Sequence, residues 1–133
     1  MAKQVLVPDE QGRHFARAVR AGQFLYVSGM TGQWDLETWE LDPRAEGDLA
    51  FQTRRVFEWA QQVLAECGLT LDDVVSTTTF VCSIKDREIV SRVKREFFPN
   101  SDVASSTVEV AGLIGVGEIE INFIAMFPDE PVN

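Results

Sequence analysis

The apolar segment EIEINFIA near the carboxyl end of the chain carries a glutamate and an asparagine. Ile119, Ile121 and Phe123 alternate there with Glu120 and Asn122, and a period of two predicts a half-buried strand with the polar pair on one face. That face could meet solvent or line a pocket, and the pattern alone leaves both interpretations open. In a pocket, a carboxylate can serve as a general acid or base. Glu120 is therefore the first candidate catalytic residue.

Hydroxyl groups precede this strand and form a second set of candidates. Ser105, Ser106 and Thr107 could bind a neutral ligand, although Ser106 fits the start of an edge strand better. A nucleophilic serine needs a base, and His14 is the only histidine. We treat a Ser105–His14 pair as the weaker interpretation. Arg17, close to His14, is more typical of a surface salt bridge than of a ligand-binding guanidinium.

The composition narrows the classes of partner. The 133-residue chain is 45% hydrophobic and 25% charged, and its formal net charge is −9. These values predict a single globular domain over residues 1–133, and the negative charge disfavours binding to nucleic acid. No apolar run approaches the ~20 residues that span a bilayer. No segment has the pattern of a secretory signal, so we expect a cytoplasmic protein without membrane contact.

The cysteines and one tryptophan suggest packing roles. Cys67 and Cys82 form no CxxC or Cys/His pattern, so the sequence predicts no metal site, and no motif indicates a cofactor. Cys82 falls within a β-branched run and is predicted to be a buried thiol. Trp59 lies in a helical pattern and is predicted to pack at a subunit boundary.

The hydrophobic periodicity predicts a ββ-α-β-α-ββ order. The predicted elements are a hairpin of Phe15–Arg20 and Gln23–Ser28 around Ala21–Gly22, a helix from Asp48 that Gly68 ends, a strand at Val74–Ile84, a helix at Asp86–Phe98, and strands at Ser106–Val110 and Ile119–Phe127. This order is typical of an α+β two-layer sandwich with both helices on one face of the sheet. The other face must be polar or be covered by a second chain, which favours oligomerisation.

Four segments carry a resemblance to a known family. They are AVRAGQFLYVSG (Ala18–Gly29), QTRRVFEWAQQVLAECGLTLDDVV (Gln52–Val75), EIEINFIA (Glu118–Ala125) and VASSTVEVAGLIGVGEIEI (Val103–Ile121). Together they resemble the RidA family, also called the YjgF family, over nearly the whole chain. The resemblance implies a chorismate-mutase-like fold with a mixed β-sheet, assembled as a homotrimer with a small-molecule cleft between each pair of subunits.

Known members of that family hydrolyse reactive enamines and imines, such as 2-aminoacrylate. The resemblance implies that Glu120 positions or activates water, and that Ser28 and Gly29 contribute backbone contacts to the substrate. His14 and Phe15 match a motif close to the cleft. A signature arginine holds the substrate carboxylate in these members through paired hydrogen bonds.

The sequence departs from the family pattern at that arginine. Ser105 occupies its position, with Thr107 two residues further on, and Phe15 stands where the family has a tyrosine. Serine supplies neither the charge nor the paired donors, so we expect a more negative cleft and no standard 2-imino-acid deaminase. Arg17 could replace the guanidinium from another position.

Two classes of function stay open. The first is a divergent hydrolase or deaminase that acts on a C=N or enamine compound and uses Glu120. The second is a non-catalytic trimer that binds a ligand or a partner. Burial of Glu120 in a cleft with Gly29 and Ser105 favours the first, and exposure to bulk solvent favours the second.

Overall fold

The computed structural model describes residues 2–128, and the main elements there are six strands and two α-helices. In chain order they are β1 (Gln4–Pro8), β2 (Ala16–Ala21), β3 (Phe24–Thr31), α1 (Leu49–Glu66), β4 (Val74–Val81), α2 (Arg87–Phe97), β5 (Ala104–Glu109) and β6 (Ile119–Met126). The predicted α+β class is confirmed, with one strand more than expected. The additional strand is β1, of which only Val7 is buried. Its short pattern carries little periodic signal.

The strands form one mixed sheet in the order β1-β2-β3-β6-β4-β5. The pairs β1–β2, β2–β3, β3–β6 and β4–β6 are antiparallel, and β4–β5 is parallel. A parallel pair needs a crossover connection, which α2 provides between β4 and β5. The central position of β6 places Glu120 in the middle of the sheet, between β3 and β4.

Successive side chains of β6 point to opposite faces of the sheet. Ile119, Ile121, Phe123 and Ala125 are buried, and the Phe57 ring of α1 lies 6.0 Å from the Phe123 ring. These residues therefore face the helices, as the period-two pattern predicts. Glu120 and its alternating neighbours lie on the opposite side, which we call the open face. Cross-strand register adds Tyr26, Phe80, Val108 and Ile124 to this face.

The boundaries of α1 follow its sequence signals. The Asp48 side chain accepts a hydrogen bond of 2.9 Å from the Phe51 amide, which satisfies one free donor of the first turn. Gly68 follows the helix with a φ of +75°, in the left-handed region where glycine has no steric cost. The predicted helix from Asp48 to the Gly68 stop is confirmed.

Three local predictions are corrected. The β2–β3 turn consists of Gly22 and Gln23, one residue later than predicted, because Gly22 adopts a positive φ. Trp59 is 1% exposed within the core of the chain, so it does not reach a subunit boundary. Cys82 is exposed rather than buried, because β4 ends at Val81.

Candidate functional site

Glu120 lines a cavity of about 290 Å³ on the open face. We call it the Glu120 cavity. Its walls come from the residues just before β2, the end of β3, and the loop before β6. The lining residues are Arg13, Phe15, Gly29, Met30, Thr31, Trp34, Ile114 and Glu120. A carboxylate and a guanidinium thus share a concave site with four large apolar side chains, which is the composition of a small-molecule pocket.

The carboxylate of Glu120 lies directly over the backbone of Gly29. A Cβ placed on Gly29 would stand 3.0 Å from Glu120 Oε2 and 3.1 Å from Cδ. The β3–β6 register shifts between Val27 and Met30, so Gly29 lies within an irregularity that turns its backbone toward the cavity. No group of residues 2–128 donates a hydrogen bond to the Glu120 carboxylate, which leaves its oxygens available to water or a ligand.

Gln33 fixes the loop that forms one wall of the Glu120 cavity. Its buried Nε2 donates to Thr31 Oγ1 at 2.8 Å and to the Ile114 carbonyl at 2.9 Å. Its Oε1 accepts from the Val116 amide at 2.9 Å. These bonds join the end of β3 to the 114–118 segment, so Gln33 is a positioning residue for the cavity wall.

A second buried glutamine, Gln52 on α1, holds the same 114–118 segment from the helix side of the sheet. Its Nε2 donates to the carbonyls of Ala45 and Val116 at 2.9 and 3.1 Å, and its Oε1 accepts from the Glu118 amide at 2.8 Å. Gly32 lies so close that an added Cβ would fall 1.9 Å from the Gln52 carbonyl oxygen. The close approach requires glycine at this position.

Arg13 reaches the cavity because Asp9 holds it. The Asp9 carboxylate accepts from the Arg13 backbone amide at 2.8 Å, from Nε at 3.2 Å and from Nη2 at 2.9 Å. These side-chain bonds lower the pKa of Asp9 from 3.8 to about 2. The Arg13 guanidinium also lies 5.0 Å from the Phe15 ring centroid and 5.4 Å from that of Trp39. A cation is therefore held in place close to Glu120.

Ser28 lies next to the Glu120 cavity but not in it. Its hydroxyl donates to the Ala16 carbonyl at 2.6 Å, which ties β3 to β2. It lines a neighbouring depression of about 380 Å³ on the open face, together with Gly29, Tyr26 and Asn122. Gly29 is the shared boundary of the two depressions.

Ser105 and Thr107 lie on the edge strand β5, outside the Glu120 cavity. Ser105 Oγ accepts from Lys94 Nζ at 2.6 Å and lies 3.3 Å from Thr77 Oγ1, so it points toward α2. Within one chain Ser105 and Glu120 are on opposite faces of the sheet, so a cleft that contains both needs a second copy and stays a prediction. The Lys94 ammonium lies against Ser105 within one chain, and the more negative cleft between copies stays a prediction.

His14 and Arg17, the other two predicted ligand-binding residues, do not line the Glu120 cavity. His14 is exposed and forms no side-chain hydrogen bond within residues 2–128. Ser105 Oγ accepts from Lys94 Nζ instead, and within residues 2–128 of one chain nothing supports a Ser105–His14 pair. Arg17 lines a different cavity with Trp39 and Trp59, and its guanidinium lies 4.6 Å from the Trp39 ring. Arg13, not Arg17, is the arginine nearest to the Glu120 cavity.

Residues 2–128 contain no cluster of histidine, cysteine or carboxylate side chains that could hold a metal ion. In the same range, no helix has the length and apolar character needed to cross a membrane.

The sequence identified Glu120, Gly29 and Phe15 but missed Arg13, Trp34 and the two glutamines. A local feature of the sequence could have indicated Arg13, because Asp9 lies four residues before it and can form an ion pair with it. Gln33 and Gln52 contact a segment more than 60 residues away, and no spacing in the sequence indicates that contact.

Comparison with known proteins assigns the family. A family model described as Endoribonuclease L-PSP matches residues 8–127. A RutC family protein of Pyrococcus abyssi is 33% identical over 128 residues, which are 94% of this chain and 98% of that protein. The structure of YyfA from Yersinia pestis, a Rid family protein of unknown function, is similar with a TM-score of 0.83 and 32% identity, covering 94% of this chain and 99% of that one.

A further solved structure, RidA from an Antarctic Psychrobacter, has a TM-score of 0.79 at 27% identity and covers 93% of this chain and 96% of that chain. The chain therefore belongs to the Endoribonuclease L-PSP family, which is the RidA or YjgF family that its motifs resemble.

Proposed function

We propose that the protein hydrolyses a small imine or enamine in the Glu120 cavity. The observation that carries this proposal is the Glu120 carboxylate itself, which lies against Gly29 in a largely apolar cavity and accepts no hydrogen bond from residues 2–128. A carboxylate in this situation can take a proton from a bound water molecule and activate it.

Glu120 alone can carry out the proton transfers that hydrolysis of an imine requires. As the water oxygen bonds to the imine carbon, Glu120 accepts the released proton and the C=N bond becomes a C–N single bond. Glu120 then returns the proton to the nitrogen, which gives a carbinolamine. In a second transfer Glu120 takes the proton of the carbinolamine hydroxyl and passes it to the nitrogen as the C–N bond breaks, so the hydroxyl oxygen becomes the carbonyl oxygen and ammonia or an amine leaves. An enamine first gains a proton at carbon to give the imine.

Substrate preference follows from position 105. A guanidinium binds a carboxylate with two parallel hydrogen bonds, and Ser105 has no such donors. We therefore propose a substrate other than the usual 2-imino acids. The site is proposed to lie between subunits of a homotrimer, where β5 of one copy closes the Glu120 cavity of another.

The free cysteines Cys67 and Cys82 fit a reducing compartment, and we propose a cytoplasmic location on that basis. The net charge of −9 gives no support to nucleic acid as a substrate.

A direct test compares two imines that are generated in place. An amine oxidase releases an imine without a carboxylate from a primary amine, and an amino-acid oxidase releases 2-iminopropionate from alanine. Trapping of the remaining imine with semicarbazide measures its loss. With the wild-type protein we expect faster loss of the imine that has no carboxylate. This acceleration should be abolished in Glu120→Gln and retained in Glu46→Gln, which changes an exposed carboxylate on a loop.

On 2-iminopropionate we expect a rate at least roughly 30-fold below that on the uncharged imine, because its carboxylate would be desolvated in the cleft without a guanidinium at position 105 to pair with. Equal rates of wild type and Glu120→Gln on both imines contradict the catalytic proposal. Ligand binding that is retained without any turnover favours the alternative, a non-catalytic ligand-binding or partner-binding trimer.

A further inference from the structure

Two buried side-chain N–H groups within residues 2–128 have no hydrogen-bond partner there. They are Nε1 of Trp59, a residue that is 1% exposed, and Nε of Arg17. Arg17 Nε lies 3.6 Å from Asp9 Oδ1, which is close enough for an ion pair but too far for a hydrogen bond. A buried donor without a partner costs free energy, so two such groups indicate an acceptor that the described chain does not supply.

Both residues line the same cavity, which we call the Trp59 cavity. It has a volume of about 360 Å³ and lies between α1, β2 and the loop that follows β3. The lining residues are Arg17, Leu36, Trp39, Trp59, Gln62, Val63, Ala65 and Glu66. None of them lines the Glu120 cavity, so the two sites are separate within one chain. The volume falls within the range of roughly 300–1,000 Å³ that is typical of small-molecule sites.

Two indole rings give the Trp59 cavity apolar walls in fixed positions. The Trp59 side chain belongs to the hydrophobic core. The Trp39 ring centroid lies 4.6 Å from the Arg17 guanidinium and 5.4 Å from the Arg13 guanidinium, and these cation–π contacts hold the ring in place. The cavity therefore offers aromatic surface to an apolar body and hydrogen-bond donors to a polar group.

The charges around the Trp59 cavity favour a neutral ligand. The Asp9 carboxylate, 1% exposed, already balances the Arg17 guanidinium, and Glu66 adds a second carboxylate. An anion would meet repulsion from both carboxylates, whereas a carbonyl oxygen gains a hydrogen bond without it. Gln62 and Glu66 are exposed, so their side chains can rotate and admit a ligand to the buried nitrogens.

We propose that the Trp59 cavity binds a small neutral molecule with an apolar body and a carbonyl oxygen, of which an amide is the simplest example. The carbonyl oxygen accepts from Trp59 Nε1, with Arg17 Nε as a second donor, and the apolar body packs against Trp39. This site does not depend on hydrolysis at Glu120.

The three tryptophans of the chain make a direct test possible. Labelling of the indole nitrogen with ¹⁵N gives one N–H signal each for Trp34, Trp39 and Trp59, which Trp34→Phe and Trp39→Phe assign. Benzamide is titrated beside toluene, which has no acceptor, and benzoate, which is charged. We expect benzamide to move the Trp59 signal downfield and saturably, because a hydrogen bond deshields the proton. It should bind roughly tenfold or more tightly than toluene or benzoate.

Trp59→Phe keeps an aromatic ring and removes the donor. It should lower the benzamide affinity measured by calorimetry roughly tenfold, while Trp34→Phe, in the Glu120 cavity, should leave it unchanged. A Trp59 signal that benzamide does not move overturns the proposal, since water or Gln62 then satisfies the donor, and this result needs no variant at position 59. A response confined to Trp34, or tighter binding of benzoate than of benzamide, also overturns it.

Discussion

At the scale of single residues, the contact between Gly29 and Glu120 is the most sensitive feature of the site. Gly29→Ala places a methyl group 3.0 Å from Glu120 Oε2, so the flexible end of the glutamate must move. We expect a folded protein whose rate on an uncharged imine falls roughly ten- to a hundredfold, since small misplacements of a catalytic group have such effects.

Gly112→Ala is the matched control for that variant, because an added Cβ at Gly112 meets no atom within 4 Å. Its activity and melting temperature should equal those of the wild type. Full activity of Gly29→Ala would mean that the position of the Glu120 carboxylate does not matter for the reaction.

The ion pair of Asp9 with Arg13 predicts a specific loss of stability in acid. The pKa of Asp9 is about 2 in the folded chain and 3.8 ordinarily, so the pair stabilises the fold fully above pH 4. This contribution, about 2 kcal/mol, is lost as the pH falls from about 4 to about 2. The difference in unfolding free energy between wild type and Asp9→Asn should therefore shrink over that range.

Urea denaturation at a series of pH values measures this difference. The control is Asp102→Asn, which removes an exposed carboxylate that forms no ion pair within residues 2–128. Its difference from the wild type should change little between pH 4 and pH 2. A constant gap between wild type and Asp9→Asn would show that the pair does not hold Arg13 in solution.

At the scale of elements, the 114–118 segment depends on buried glutamines rather than on regular structure. Gln52→Leu removes three hydrogen bonds and leaves the Val116 carbonyl and the Glu118 amide without these partners, while the Ala45 carbonyl keeps its bond from the Asp48 amide. We expect destabilisation by about 2–4 kcal/mol, measured by urea denaturation. Gln61→Leu, on an exposed part of α1, should change stability by less than about 0.5 kcal/mol. Similar values for the two variants would contradict the role of Gln52.

The elements themselves could largely be predicted from the sequence, for local reasons. The period of two in β6 and the cap signals at Asp48 and Gly68 are properties of neighbouring residues, and they located β6 and α1 within a residue or two. β1 was missed because five residues with one buried position give no clear period. Its existence depends on pairing with β2.

The candidate site could be predicted only in part, because it combines segments that are distant in sequence. The period of two in β6 made Glu120 a candidate, and the family resemblance added Gly29. The Gln33 bonds to the 114–118 segment, and the place of Lys94 beside Ser105, result from tertiary packing and leave no pattern in the chain. The sequence therefore did not predict that an ammonium group lies against Ser105.

At the scale of the whole molecule, the open face remains to be covered. Tyr26 is 49% exposed and Val108 is 43% exposed on that face, on either side of the strand that carries Glu120. Apolar side chains in such an arrangement are typical of an interface between copies. Val108→Glu should weaken assembly, because a charge would be buried between chains. Leu41→Glu, which changes an exposed loop residue in the same way, should not.

The central claim is that the Glu120 cavity lies on a sheet face shared between copies of the chain. Light scattering of the wild-type protein at micromolar concentration tests it most directly. We predict a mass three times the 14.9 kDa of the chain. A mass of 14.9 kDa would contradict the claim, since β5 of another copy could then not close the cavity.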